Sequence, residues 1–146
     1  MTGLPGLADH AFWDRILVDC PACGGVALVR PEDEARDWDN LAFGARRMTC
    51  PGCGEARRQA RGAVSAPNMG LPLRLVGRGR QGDLRAWNEA HLDHIEADVR
   101  AQHRREAIAP GGPRNASVLS RLSRWVKAAR NRDQVLKLIA RMRARL

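Results

Sequence analysis

The sequence predicts an α+β fold: a cysteine-stapled β unit, then a short β-hairpin and a three-helix C-terminal part. Three observations carry this. Cysteine occurs only in two like-built turns, Cys20-Pro-Ala-Cys23-Gly and Cys50-Pro-Gly-Cys53-Gly. Short apolar runs without helical period flank both turns and a later glycine-rich segment. From Asn88 onward, apolar residues recur at three- and four-residue spacing, the period of a helix with one buried face.

Met1 to His10 reads as a loose lead-in. Ala11 to Asp19, with Phe12, Trp13, Ile16, Leu17 and Val18, delivers the first cysteine pair as a short helix or a strand. Gly25 to Arg30 reads as a strand leaving it. Pro31 to Asn40 reads as a flexible acidic loop with Trp38 embedded. Leu41 to Thr49 leads into the second pair, and Glu55 to Ala60 leads away. Pro67, Asn68, Gly70 and Pro72 punctuate the chain and mark a boundary. Leu73 to Val76 and Leu84 to Trp87 form a hairpin around Gly77 to Asp83.

Asn88 is the expected cap of the first helix, with Glu89 in its first turn. Leu92, Ile95 and Val99 form its apolar stripe, and it should run to about Glu106 before Pro110-Gly-Gly-Pro113 stops it. Ser117 caps a second helix with Val118, Leu122, Trp125 and Val126 on one side. Asn131 or Asp133 opens a third, with Val135, Leu138, Ile139 and Met142 inward, and the last two should pack as a helical hairpin. The expected units are residues 1–61, 62–113 and 114–146.

Two residues between paired cysteines let one tight turn present both sulfurs on the same side. Pro21 and Pro51 preset the turns, and Gly24 and Gly54 supply the positive φ that follows the second ligand. Two such turns facing each other bring four thiolates to one tetrahedral ion. Cys20, Cys23, Cys50 and Cys53 are therefore the expected ligands of a single structural Zn²⁺. No charged start followed by an apolar stretch precedes them, and no apolar run approaches membrane-span length. A cytoplasmic protein with reduced thiols and no membrane partner is the expectation.

The paired CPxCG turns resemble those of zinc ribbons, including the ribbons of general transcription factors and of small bacterial zinc-ribbon proteins. The resemblance covers about residues 14–60. It implies a zinc β-ribbon of two hairpins meeting at the metal, with the loop 31–40 as an insertion in the 26-residue spacer. Trp87 to Leu92 and Arg124 to Lys127 are also similar to the C-terminal part of such bacterial proteins, without naming an activity. The four-cysteine pattern resembles rubredoxin too, which would make the ion iron and the protein an electron carrier. The basic balance and some ninety further residues favour zinc.

Charge separates sharply along the chain. Residues 1–60 carry a net −2, residues 61–113 a net +2 and residues 114–146 a net +9. A basic block of that density is a footprint for a polyanion. The leading expectation is a non-enzymatic nucleic-acid-binding protein acting in transcription or DNA maintenance, with DNA and RNA both open. Its phosphate contacts would be Arg121, Arg124, Lys127, Arg132, Lys137, Arg141, Arg143 and Arg145, with Arg78 and Arg80 on the glycine-rich turn. The rival is an adaptor whose ribbon and acidic loop dock on a larger complex, Trp38 serving as an anchor.

Other motifs fall away. Gly77 to Gly82 fits a GxGxxG string, but no helix follows it directly, which excludes nucleotide binding there. His91 and His94 lie on one helix with Asp98, without firm further ligands. His91 is better placed to bond a backbone group and lock hairpin to helix. Glu32, Asp33, Glu34, Asp37 and Asp39 read as solvated carboxylates. No cysteine is left over for a nucleophile, and no serine has a triad context.

Overall fold

The computed structural model describes residues 9–62, 67–108 and 124–146. Arg121, the expected cap Ser117, Val118, Leu122 and the Pro110–Pro113 stop lie outside the described residues.

The fold is α+β. Strands β1 (Ile16–Asp19), β2 (Val26–Pro31), β3 (Arg46–Thr49) and β4 (Ala56–Gln59) form an antiparallel meander in the order β1-β2-β3-β4. Strands β5 (Leu75–Arg78) and β6 (Asp83–Ala86) form a separate hairpin in which Leu75 faces Ala86 and Arg78 faces Asp83. The helices are α1 (Trp38–Phe43), α2 (Glu89–Ile108), α3 (Arg124–Lys127) and α4 (Arg132–Arg143), with a 3₁₀ turn at Ala129–Asn131 leading into α4. The segment Ala11 to Asp19 is both of the expected things in turn, a 3₁₀ turn at Asp9–Phe12 and then β1.

Alternation in the meander sets two apolar cores. Ile16, Val18, Ala27, Val29 and Met48 point to one face, where Trp13, Met69, Leu71, Leu73 and Trp87 pack beside them. Leu17 points to the other face and joins Leu75, Leu84, Leu92, Ile95, Val135, Leu138, Ile139 and Met142 in the larger core. The outer edge of β1 is occupied as well. Leu17 N donates to Trp87 O at 2.8 Å, Arg74 N donates to Leu17 O at 2.9 Å, and Asp19 N donates to Pro72 O at 2.9 Å.

Helix α2 begins as its sequence dictates. Asn88 Oδ1 accepts from His91 N at 2.8 Å, while Asn88 Nδ2 donates to Phe12 O (3.1 Å) and Arg15 O (2.6 Å). One buried amide thus caps the helix and ties the approach to β1 onto it. Helix α4 packs on β5 and α2 as well as on α3, so its apolar stripe serves a wider surface than the expected helical hairpin. Gly77 makes the close approach to β5 possible. A Cβ there would lie 2.7 Å from Leu138 Cγ and 2.8 Å from Met142 Sδ. Asn131 precedes α4, but its side chain does not cap it; Nδ2 donates to Trp125 O at 2.8 Å instead.

The segment 31–40 departs from the expected flexible acidic loop. Asp37 accepts from Asn40 N at 2.9 Å and caps α1, and Asn40 Nδ2 donates to Asp33 O and Ala35 O. Asp39 pairs with Arg61 at 2.5 Å, and Glu32 pairs with Arg58 at 2.8 Å. Local capping and tertiary ion pairs order what composition alone reads as solvated.

His91 is 4% exposed, and its ring stacks on Phe12 with centroids 4.7 Å apart. Its Nδ1 accepts from Trp87 N at 3.0 Å, which joins the end of the hairpin to α2 as expected. Burial, with His94 nearby, lowers its pKa to about 4 from an ordinary 6.5. Between those values the unfolded chain binds the proton and the folded one resists it, so stability falls as pH drops from 6.5 toward 4. The loss should approach about 1.4 kcal/mol per pH unit and total about 3 kcal/mol. Denaturant titrations of metal-loaded protein between pH 7 and pH 5 check this. Asn at position 91 offers a neutral acceptor near Nδ1, so H91N should flatten the slope; an equally steep slope in H91N would assign it to another group.

Candidate metal centre

Both cysteine turns sit at the same end of the meander, because antiparallel pairing brings the start of β2 beside the end of β3. The first turn joins β1 to β2 and the second joins β3 to β4. Their backbone hydrogen bonds repeat one pattern. Cys20 N donates to Gly25 O and Gly24 N to Cys20 O; Cys50 N donates to Glu55 O and Gly54 N to Cys50 O, all at 2.8–2.9 Å. Gly24 and Gly54 take φ of 76° and 82°, the left-handed conformation that the sequence anticipates after each second ligand.

The four sulfurs converge. Cys20 Sγ lies 3.7 Å from Cys53 Sγ, Cys23 Sγ lies 3.6 Å from Cys50 Sγ, and all four fall within 4.8 Å of one another. All four cysteines are free, and these separations are far beyond a disulfide bond of about 2.05 Å. A tetrahedron with metal–sulfur bonds of about 2.3 Å has edges of about 3.8 Å. The sulfur set therefore fits one ion without moving the backbone. Cys20 and Cys50 are buried, whereas Cys23 and Cys53 face solvent.

Local donors prepare the thiolates. Ala22 N points at Cys20 Sγ at 3.3 Å, and Gly25 N points at Cys23 Sγ at 3.4 Å. The Cys23 N–H and its neighbours outweigh desolvation and lower the Cys20 thiol to about 7. The Glu55 N–H lowers Cys53 too, but desolvation and the three other sulfurs outweigh it and push that thiol up to about 12. Four crowded sulfurs cannot all ionise by themselves, since like charges accumulate in one small volume. A dication held by Cys20, Cys23, Cys50 and Cys53 would supply the missing counter-charge, and its binding would release protons.

The remaining candidates are distributed over the fold. His94 Nε2 lies 3.4 Å from Asp98 Oδ2, while His91 is turned to Trp87 N. Among the described residues, only the four cysteines assemble as a metal-binding group. Of the expected phosphate contacts, Arg143 pairs with Asp93 and Glu96 at 2.5 Å each and holds α4 to α2. Arg145 donates to Arg74 O at 3.0 Å, and Arg132 lies 3.6 Å from Asp133. Arg78 lies 3.3 Å from its cross-strand neighbour Asp83. Arg80, Arg124, Lys137 and Arg141 are exposed, and Lys127 is half-buried. The glycine string at 77–82 leads into strand β6, not a helix.

One polar residue that holds the site was not legible in the sequence. Arg46 is 1% exposed. Its Nη1 donates to Leu41 O at 2.9 Å and its Nη2 donates to Trp13 O. Desolvation lowers its pKa and the Asp14 carboxylate opposes that shift. A guanidinium on β3 thus bolts α1 and the Trp13 segment to the strand that leads into Cys50.

Comparison with protein families, with curated proteins and with solved structures finds no match for this chain. No helix among the described residues is long and apolar enough to cross a membrane.

Proposed function

We propose that this chain is a non-enzymatic zinc-ribbon protein that binds nucleic acid, acting in transcription or DNA maintenance. The metal fixes the scaffold and exposed cations meet phosphate. The four-thiolate set favours zinc as the ion, because thiolate tetrahedra suit closed zinc sites. A purified protein that is colourless and contains one zinc supports that identity; a red protein with visible absorption would make it iron.

The observation that supports the binding reading is that the turn carrying Arg80 packs beside the helix carrying Arg124 and Lys127. The hairpin turn after β5 rests against α3. A Cβ on Gly82 would lie 2.7 Å from Trp125 Nε1, and one on Gly79 would lie 3.2 Å from the same ring. Asn131 Nδ2 also donates to Gln81 Oε1 at 3.4 Å. Arg80 is therefore carried next to the helix that bears Arg124 and Lys127. Guanidinium forks on neighbouring elements suit a phosphate backbone.

Labelled duplex and single-stranded oligonucleotides titrated at low and moderate salt test this. The expected result is strong binding that weakens steeply with salt, as counterion release requires. R80A/R124A/K127A should lower affinity about tenfold or more and flatten the salt dependence by about two units of log–log slope. Affinity unchanged in that variant counts against this surface. The adaptor reading keeps one specific support. Trp38 and Phe43 on α1 are 54% and 49% exposed, and their rings lie edge to face. Absence of any nucleic-acid binding by the wild-type protein would favour it.

A further inference from the structure

The strand register sets three arginines in a row that the sequence scatters over 29 positions. Arg30 on β2 faces Arg47 on β3, and Arg47 faces Arg58 on β4. Paired strands lie about 4.7–4.9 Å apart, so the row spans about 10 Å across the sheet. Leu28, Thr49 and Ala56 share its face by alternation. That face is only partly covered. At its β1 end, Leu17 and Leu28 meet the larger core. At its far end, Arg30, Arg47, Thr49, Ala56 and Arg58 are exposed.

An open cleft of about 400 Å³ lies there, lined by Arg30, Pro31, Glu32, Arg47 and Thr49. Like charges directly opposite each other across strands are destabilising. One carboxylate is set against the row: Glu32 accepts from Arg58 Nε at 2.8 Å and from Arg47 Nη2 at 3.2 Å. Among the described residues no carboxylate pairs with Arg30. Arg30 and Arg47 line the cleft with the hydroxyl of Thr49, and Arg58 joins them through Glu32, so three guanidinium groups stand against one carboxylate and leave a surplus of positive charge. That is the chemistry of a phosphate contact.

We propose that the Arg30–Arg47–Arg58 row is a second nucleic-acid contact, gripping backbone phosphates on the open half of the sheet, with Glu32 as an internal competitor. The inference rests on the nucleic-acid reading above but places a contact on strands β2–β4 of the metal-bearing sheet, built from residues that lie outside the basic C-terminal block.

The experiment uses the full-length, metal-loaded protein with a fluorescein-labelled oligothymidylate. R30A/R47A/R58A should weaken binding about tenfold or more and flatten the log–log salt slope by about two, given some 0.7 counterions released per single-strand phosphate. E32Q removes the competing negative charge beside two guanidinium groups and should tighten binding several-fold, a gain that a purely structural role of Glu32 does not produce. The Arg30, Arg47 and Arg58 side-chain Nε–Hε resonances should shift on adding the oligonucleotide. Metal content and thermal midpoint are matched to wild type first. If the triple variant does not fold, E32Q and R30A alone decide, and unchanged affinity in both overturns the proposal. A triple variant that binds like wild type, while R80A/R124A/K127A does not, overturns the row and leaves the proposed function standing. Loss in the sheet variant with none in the α3 variant upholds the row and moves the binding surface. Wild-type protein that binds no oligonucleotide overturns both. Resonances that respond to inorganic phosphate but not to the oligonucleotide overturn the nucleic-acid assignment.

Discussion

Removing the metal with a chelator at neutral pH should unfold β1–β4 while the larger core persists. Amide exchange should accelerate over residues 16–19, 26–30, 46–49 and 56–59, and remain slow around Leu92, Ile95, Leu138 and Ile139. The asymmetry follows from what each part has to hold it. The core on the metal side consists chiefly of Ile16, Val18, Ala27, Val29 and Met48, on strands of four to six residues. A unit of that size rarely folds unaided and needs a staple. Structural zinc in finger-type sites contributes about 10–16 kcal/mol at neutral pH, more than such a core supplies. The helical side buries Leu75, Leu92, Ile95, Val135, Leu138, Ile139 and Met142 without any metal. Four thiols should become reactive to a maleimide as the ion leaves. Exchange protection that stays intact after metal analysis shows the ion gone would mean the sheet stands without it.

The second large effect is expected at Arg46. R46A removes the donors of Leu41 O and Trp13 O and opens a cavity on the buried face of β3 that Arg46 shares with Met48. The loss should be about 3–5 kcal/mol in denaturant titrations of the metal-loaded protein. R46M fills much of the space but leaves both carbonyls without their donor, so it should recover only part of that loss. R46K carries the charge without the planar fork and should also fall short of wild type. An R46M protein within about 1 kcal/mol of wild type would show that packing, not hydrogen bonding, is what position 46 supplies.

Much of the candidate centre was legible because its chemistry is local. The two CPxCG turns fix their own geometry within six residues, and Gly24 and Gly54 reveal the positive φ that each turn takes. Asn88 as a cap and the stripe Leu92–Ile95–Val99 were legible for the same reason, and α2 starts where they place it. The hairpin was also legible, although β5 starts two residues later than Leu73. Leu73 instead forms a bridge to Val18.

What escaped depends on distant partners. Helix α1 is six residues long, and its cap, Asp37 to Asn40, hides among five other acidic or polar neighbours. Arg46 reads as one more surface cation until its two carbonyl partners are in place. The row of Arg30, Arg47 and Arg58 exists only once the register is known. Conversely, Arg143 reads as a free cation and is found tied to Asp93 and Glu96, which lie some fifty positions upstream.

The sealing of β1 along its outer margin has a consequence for synthesis. A ribosome releases Cys53 well before Leu73, Arg74 and Trp87 emerge, so all four thiols can gather while one flank of the sheet still lacks its neighbours. During that interval Ile16, Leu17 and Val18 present an unpaired, sticky border to other nascent chains. Quick arrival of the downstream segment, or shelter by a chaperone, then governs how much of the newly made protein escapes aggregation.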